Sequence, residues 1–200
     1  MKCLLDAIKD APNEVAMMSR LNCHAENISS IVVQNTGGKL LRAFLAWTGH
    51  PLDRNWLGST LPVGVHDHRY SISLCGIFGH VFNDVYFRDP MGVRLNEWAF
   101  TSGEMTSVPK VELIGADRVS LGSCTLLNDD WINMSAGCLH TIRVSGHSAW
   151  WVQEGAISKL TTTLFTKADR VSSEGLYLPF RSKGDVVDHV TKFFGALNEL

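Results

Sequence analysis

Between Ser29 and Phe165 the chain is cut into short strand-like runs by glycine, proline, asparagine and serine, with almost no intervening helix. The runs lie at 31–33, 39–47, 63–74, 79–87, 93–100, 110–115, 118–127, 138–144, 149–153 and 159–165. Strands at this spacing, punctuated by turn residues, predict an antiparallel sandwich or barrel, because each run is too short to bury its apolar face alone. Asn35-Thr36-Gly37-Gly38 has the chemistry of a tight turn and predicts a hairpin between the first two runs.

Both ends read differently. Residues 3 to about 22 predict helix in two stripes: Leu4, Leu5 and Ile8, then Val15, Met18 and Leu21 after Pro12. Near the other end Ser182 and Asp185 suit a helix start, and Val186, Val187, Val190, Phe193, Phe194 and Leu197 form one apolar stripe. That helix is expected to dock on the sheet, on the first helices or on a second subunit, so a homodimer is among the expected assemblies. Tyr177 and Phe180 in the connector before it argue for an ordered segment. The 200 residues are expected to form one domain: a helical segment over 1–28, a barrel over 30–165, and a connector with its helix over 166–200.

Apolar content of 45% and charged content of 19% exclude a disordered chain. A net charge of −2 gives no footprint for nucleic acid or an anionic membrane. No run is long and apolar enough to span a bilayer, and Asp6, Lys9 and Asp10 interrupt the first apolar run before it could serve as a signal peptide. Five widely spaced cysteines without a Cys-x-x-Cys pair argue for reduced thiols and a cytoplasmic location.

The chemistry concentrates in Gly64-Val65-His66-Asp67-His68-Arg69-Tyr70. Alternate residues of a strand share a face, so His66 and His68 project together, and Tyr70, Ile72 and Leu74 continue that face as a mainly apolar lining. Two imidazoles make a weak site and need a third ligand. Asn133 to Val144 holds a turn closed by Gly137 and then a strand with His140 near its start. His24 and His189 fall on predicted helices, His50 and His147 in loops, and His80 at a turn, where it competes with His140. No catalytic-triad order, phosphate-binding glycine loop or His-Glu-x-x-His is present.

Gly64-x-His66-x-His68, Gly79 and Ala136-Gly137-x-x-His140 resemble, in order, the two motifs of the cupin superfamily, small antiparallel β-barrels of double-stranded β-helix or jelly-roll form. The resemblance covers roughly 30–165. It implies a divalent metal on His66, His68 and His140, iron(II) favoured, with zinc, manganese or nickel as alternatives. The glutamate that the motif usually supplies is missing, which makes the layout similar to the three-histidine cysteine dioxygenase type. That type's substrate arginine and tyrosine are also missing: Ser29 and Ser30 stand at one place, and Trp150-Trp151-Val152-Gln153-Glu154 at the other.

Three neutral ligands would leave positions open for water, substrate or dioxygen. The expected activity is therefore that of a non-haem oxygenase on a small polar molecule. The alternatives are a barrel that holds a small ligand without turnover, and one used for subunit assembly. Tyr70 shares the histidine face and is the candidate proton donor. Arg42, Tyr86 and Trp151 are candidate substrate contacts; an arginine on so apolar a strand binds either a ligand oxyanion or an internal carboxylate. His50, Asp53 and Arg54 lie in a loop that suits a cover for the barrel mouth or an ordinary solvated connection.

Overall fold

The structure, a computed structural model, describes residues 2–25, 27–47, 64–101, 110–171 and 177–196. The loop with His50, Asp53 and Arg54, and Leu197 of the last stripe, lie outside the described residues. The fold is mainly β, antiparallel, with few helices. Along the chain come α1 (Lys2–Asp10), α2 (Asn13–Ala16), β1 (Arg20–Leu21), β2 (Ile28–Thr36) and β3 (Lys39–Ala46). β4 (Val65–His66), β5 (Tyr70–Thr101), β6 (Lys110–Leu126), β7 (Ile132–Met134) and β8 (Leu139–Ile157) follow, then β9 (Thr162–Thr166), β10 (Leu178–Pro179) and α3 (Lys183–Gly195). Among the described residues no helix is long and apolar enough to cross a membrane.

Several local expectations change. The run at 63–74 is broken at 67–69, between β4 and the start of β5, and the runs at 110–115 and 118–127 join in one β6. Helix stops at Ala16 rather than near residue 22, because Arg20 pairs with Ser30 and Pro179, and Leu21 with Leu178. Ser19 Oγ accepts from the Val32 N–H at 2.9 Å, which ties this turn to the sheet. The runs at 79–87 and 93–100 belong to one long β5, in which Arg88 and Val93 both face Val119 across a bulge. The runs at 138–144 and 149–153 likewise form one β8 that carries Gly146 at a φ of 68°.

The β2–β3 hairpin closes as its sequence requires: Gly37 and Gly38 are left-handed, and Asn35 Oδ1 accepts from the Gly38 N–H at 2.9 Å. Alternation along β3 and β8 then divides the core. Phe44, Ala46, Trp150 and Val152 join Ile72 and Leu74 in an inner cluster. Ala43, Leu45 and Ala149 face Leu4, Ile8, Val186, Val190 and Phe193 of α1 and α3 in an outer one. α3 thus docks on α1 and on the outer sheet face, and Ser182 Oγ caps it by accepting from the Asp185 N–H at 3.1 Å.

His189 on α3 sits against Trp47 and Phe180, 2.7 Å from Ser29 Oγ, and burial, helped by Lys192, lowers its pKa from 6.5 to about 4. Below pH 6.5 the unfolded chain takes up a proton that the folded chain refuses until about 4. This contribution to stability is therefore complete above pH 6.5 and is lost as pH falls toward 4. Urea melts between pH 7 and 4 are expected to show falling stability, with a shallower slope in His189→Gln.

Gly79 governs which side chains of β5 point inward. Before it Ile72 and Leu74 face the inner cluster; after it Val81 and Val85 do, a change from even to odd positions. The register against β8 slips between Gly76 and Phe78 and again between Phe78 and His80. Gly79 has a φ of +75°, and a Cβ there would meet the His147 carbonyl oxygen and lie 2.5 Å from Ser148 Oγ. Gly79→Ala should destabilise the fold by about 2–4 kcal/mol in a denaturant titration, from left-handed strain plus the clash.

Candidate metal centre

His66 closes the short β4, where it pairs in register with His140 of β8 and with Leu164 of β9. Asp67 turns the other way: its Oδ1 accepts from the Thr163 N–H at 2.7 Å and its carboxylate pairs with Lys159. His68 returns to the His66 side, its N–H donating to the Ala136 carbonyl at 2.9 Å. The turn before β8 therefore locks the first pair of histidines to the strand that carries the third.

The three rings converge. Their centroids lie 4.9 Å apart for His66 and His68 and 5.0 Å for each with His140. One nitrogen from each falls within 4.8 Å of the others. His66 Nδ1 is 2.8 Å from the Gly64 carbonyl and His140 Nδ1 is 2.7 Å from Asn83 Oδ1. Both partners are acceptors, so each Nδ1 carries the proton and each Nε2 presents its lone pair to the common point. His68 Nε2 lies 2.8 Å from His140 Nε2. Two imidazoles on one ion at about 2.0–2.1 Å and a right angle would be separated by about 2.9 Å.

Burial pushes all three histidines below their ordinary pKa, His68 and His140 well below, so they are neutral and ready to ligate near pH 7. The donor set thus fits a divalent metal, and three histidines in this order fit a cupin. Asn83 is 1% exposed and fixes the tautomer of a ligand. Asn83→Leu is expected to weaken metal binding about 10–100-fold in a competitive chelator titration, with the protein still folded.

Tyr70 stacks on His68 with ring centroids 5.7 Å apart. Its hydroxyl faces Glu154, and burial drives its pKa up, so it stays protonated. Glu154, 6% exposed, is ion-paired with Arg42, whose other guanidinium nitrogen lies 3.4 Å from Ser30 Oγ. Of the two partners open to Arg42, the internal carboxylate is the one the structure displays. Trp150 faces inward, stacked on Phe44 at 5.3 Å, while Trp151 packs in the outer cluster with the helices. Tyr86 lies in a separate cluster with Val65, Leu95, Val119, Leu139 and Phe165. The structure therefore gathers His66, His68, His140, Tyr70 and Arg42, and sets Tyr86 and Trp151 apart from them.

His80 is exposed on β5, and His147 packs against Trp47 and Phe193 on the outer side. His24 is not helical: it occupies a left-handed turn and stacks on His66, centroids 5.8 Å apart. Its pKa falls to about 3, from burial first and then from His66 and Arg42. Sequence reasoning passed over Asn83, Glu154 and His24. Alternation from Trp150 through Val152 would have signalled Glu154; nothing in the local pattern signalled the other two.

No family model and no curated protein matches the chain. Among solved structures, it is similar to hydroxypropylphosphonic acid epoxidase from S. wedmorenis at 9% identity, over 73% of this chain and 60% of that one, with a TM-score of 0.39. A structure of iron(II) HppE matches at 10% identity over 65% of this chain and 50% of that one, with a TM-score of 0.36. Hydroquinone 1,2-dioxygenase from Sphingomonas sp. TTNP3, with 4-hydroxybenzoate bound, matches at 10% identity over 65% and 68%, with a TM-score of 0.36. The match thus spans half to three fifths of the first two chains. At TM-scores this low none of these likenesses bears on what the chain does.

Proposed function

We propose that the chain is a single-domain, cupin-like barrel that binds a divalent metal, iron(II) favoured, through His66, His68 and His140, and acts as a non-haem oxygenase-type enzyme on a small polar molecule. The barrel reading draws support from a circuit of pairings, β4 to β8, β8 to β5, β5 to β9 and β9 back to β4. The observation that carries the functional reading is the convergence of three neutral imidazoles, two with Nδ1 committed to fixed acceptors. Among the described residues no carboxylate joins the three histidines, so a six-coordinate ion would keep three positions for other molecules.

When bound, the ion supplies Lewis-acid polarisation and electrons for dioxygen chemistry. The chain supplies the rest. Tyr70, whose ring stacks on His68, keeps its hydroxyl proton facing Glu154 and donates it toward a substrate oxygen only in exchange for that carboxylate. The Arg42–Glu154 pair anchors that hydroxyl, and Arg42 Nε, buried without a hydrogen-bond partner among the described residues, is a donor available to a substrate. Ile72, Leu74, Val81, Phe44 and Trp150 exclude water from the same interior.

The test is to load metal-free protein with iron(II) without oxygen and follow dioxygen uptake over a panel of small polar acids, amines and phenols, with zinc-loaded protein as control. Substrate-dependent uptake with iron and none with zinc is expected. Ligand binding without uptake would instead favour a sequestering protein.

A further inference from the structure

Four non-glycine residues have a left-handed backbone among the described residues, and they meet in one place: Asn22 (φ 50°), His24 (70°), Asn27 (63°) and Tyr177 (56°). The turn is closed by Asn27 N–H to Asn22 Oδ1 at 3.2 Å and by Cys23 N–H to the Ile28 carbonyl at 2.6 Å. Tyr177 is tied to it by its N–H to the Asn22 carbonyl, at 3.2 Å. Left-handed tyrosine and histidine are unfavourable, and such strain persists where surrounding structure enforces it. Here it delivers one side chain to the metal centre.

That side chain is His24. Its ring is stacked between Phe44, at 5.9 Å, and the ligand His66, at 5.8 Å, with Tyr177 edge-on at 5.8 Å. Nδ1 lies 3.2 Å from the Tyr177 hydroxyl. Nε2, on the other side of the ring, has no hydrogen-bond partner among the described residues. With Tyr177 donating to Nδ1, Nε2 carries the proton and offers an N–H donor.

We propose that His24 is a fourth working histidine of this centre: it does not ligate the metal but donates from Nε2 to an anionic ligand held in the open coordination positions, with Tyr177 fixing its tautomer. The inference rests on the metal site proposed above. It identifies the ligand class as one that presents an acceptor lone pair next to its metal-bound atom, such as an oxyanion.

Azide serves as the probe, titrated into cobalt(II)-loaded protein and followed by visible absorption. His24→Phe preserves the aromatic stack and removes the donor. It is expected to keep one cobalt per chain and to bind azide at least about tenfold more weakly. Tyr177→Phe leaves His24 in place but frees Nδ1 to take the proton from Nε2, and should weaken azide in the same direction; it decides the matter if His24→Phe fails to fold. Azide affinity within twofold of the original in the folded variants would overturn the role of His24 alone. A wild-type chain that takes up no cobalt would overturn the metal site and this inference with it.

Discussion

His140→Ala should abolish stoichiometric metal binding while leaving a cooperatively folding protein. The loss should exceed the roughly 10–100-fold that removal of an outer hydrogen-bond partner costs, since a ligand is removed outright. Elemental analysis after loading and desalting measures it. His140 reaches the centre from 72 residues beyond His68, so loss of metal in this variant would join two distant segments at one ion. The substitution also leaves Asn83 Oδ1 without its donor, a folding cost of about 1–3 kcal/mol. Added imidazole, which can fill the vacated space and donate to Asn83, is expected to restore part of the binding.

Glu154→Leu should give the largest loss of stability. Glu154 is buried and neutralises Arg42, and removing one member of such a pair strands the other charge at a cost of about 3–5 kcal/mol. Urea unfolding of the metal-free protein reads it. The double variant Arg42→Met with Glu154→Leu leaves no stranded charge and should recover most of that loss, because an apolar pair of similar volume replaces an ion pair whose desolvation already offset much of its attraction. A double variant no more stable than the single one would mean that packing, not charge, sets the effect.

Much of this was legible in the residues. Short runs between turn residues gave an antiparallel β fold, and the period-two rule put His66, His68 and Tyr70 on one side, where their rings do meet, although the strand it assumed is broken at 67–69. The turn at Ser135-Ala136-Gly137 marked the start of the strand that carries His140. The helix start at Ser182 was equally plain, because a cap is a local interaction. What escaped depends on pairing between distant segments. Leu21 continues a helical stripe, but its backbone is claimed by Leu178. Asn83 faces inward because the register slips around Gly79, and a slip cannot be read from one strand by itself. Trp150 and Trp151 had to face opposite ways, yet which one faced the centre was settled by where α1 and α3 dock. His24 sits in a left-handed turn that a non-glycine sequence does not advertise.

The most direct measurement is the metal content of the unmodified chain after anaerobic loading with iron(II) and removal of excess ion, together with X-ray absorption at the iron edge. One iron per chain with three imidazole nitrogens in its coordination shell is the predicted result. Absence of retained metal, or iron held by oxygen ligands without imidazole, would contradict the account at its centre.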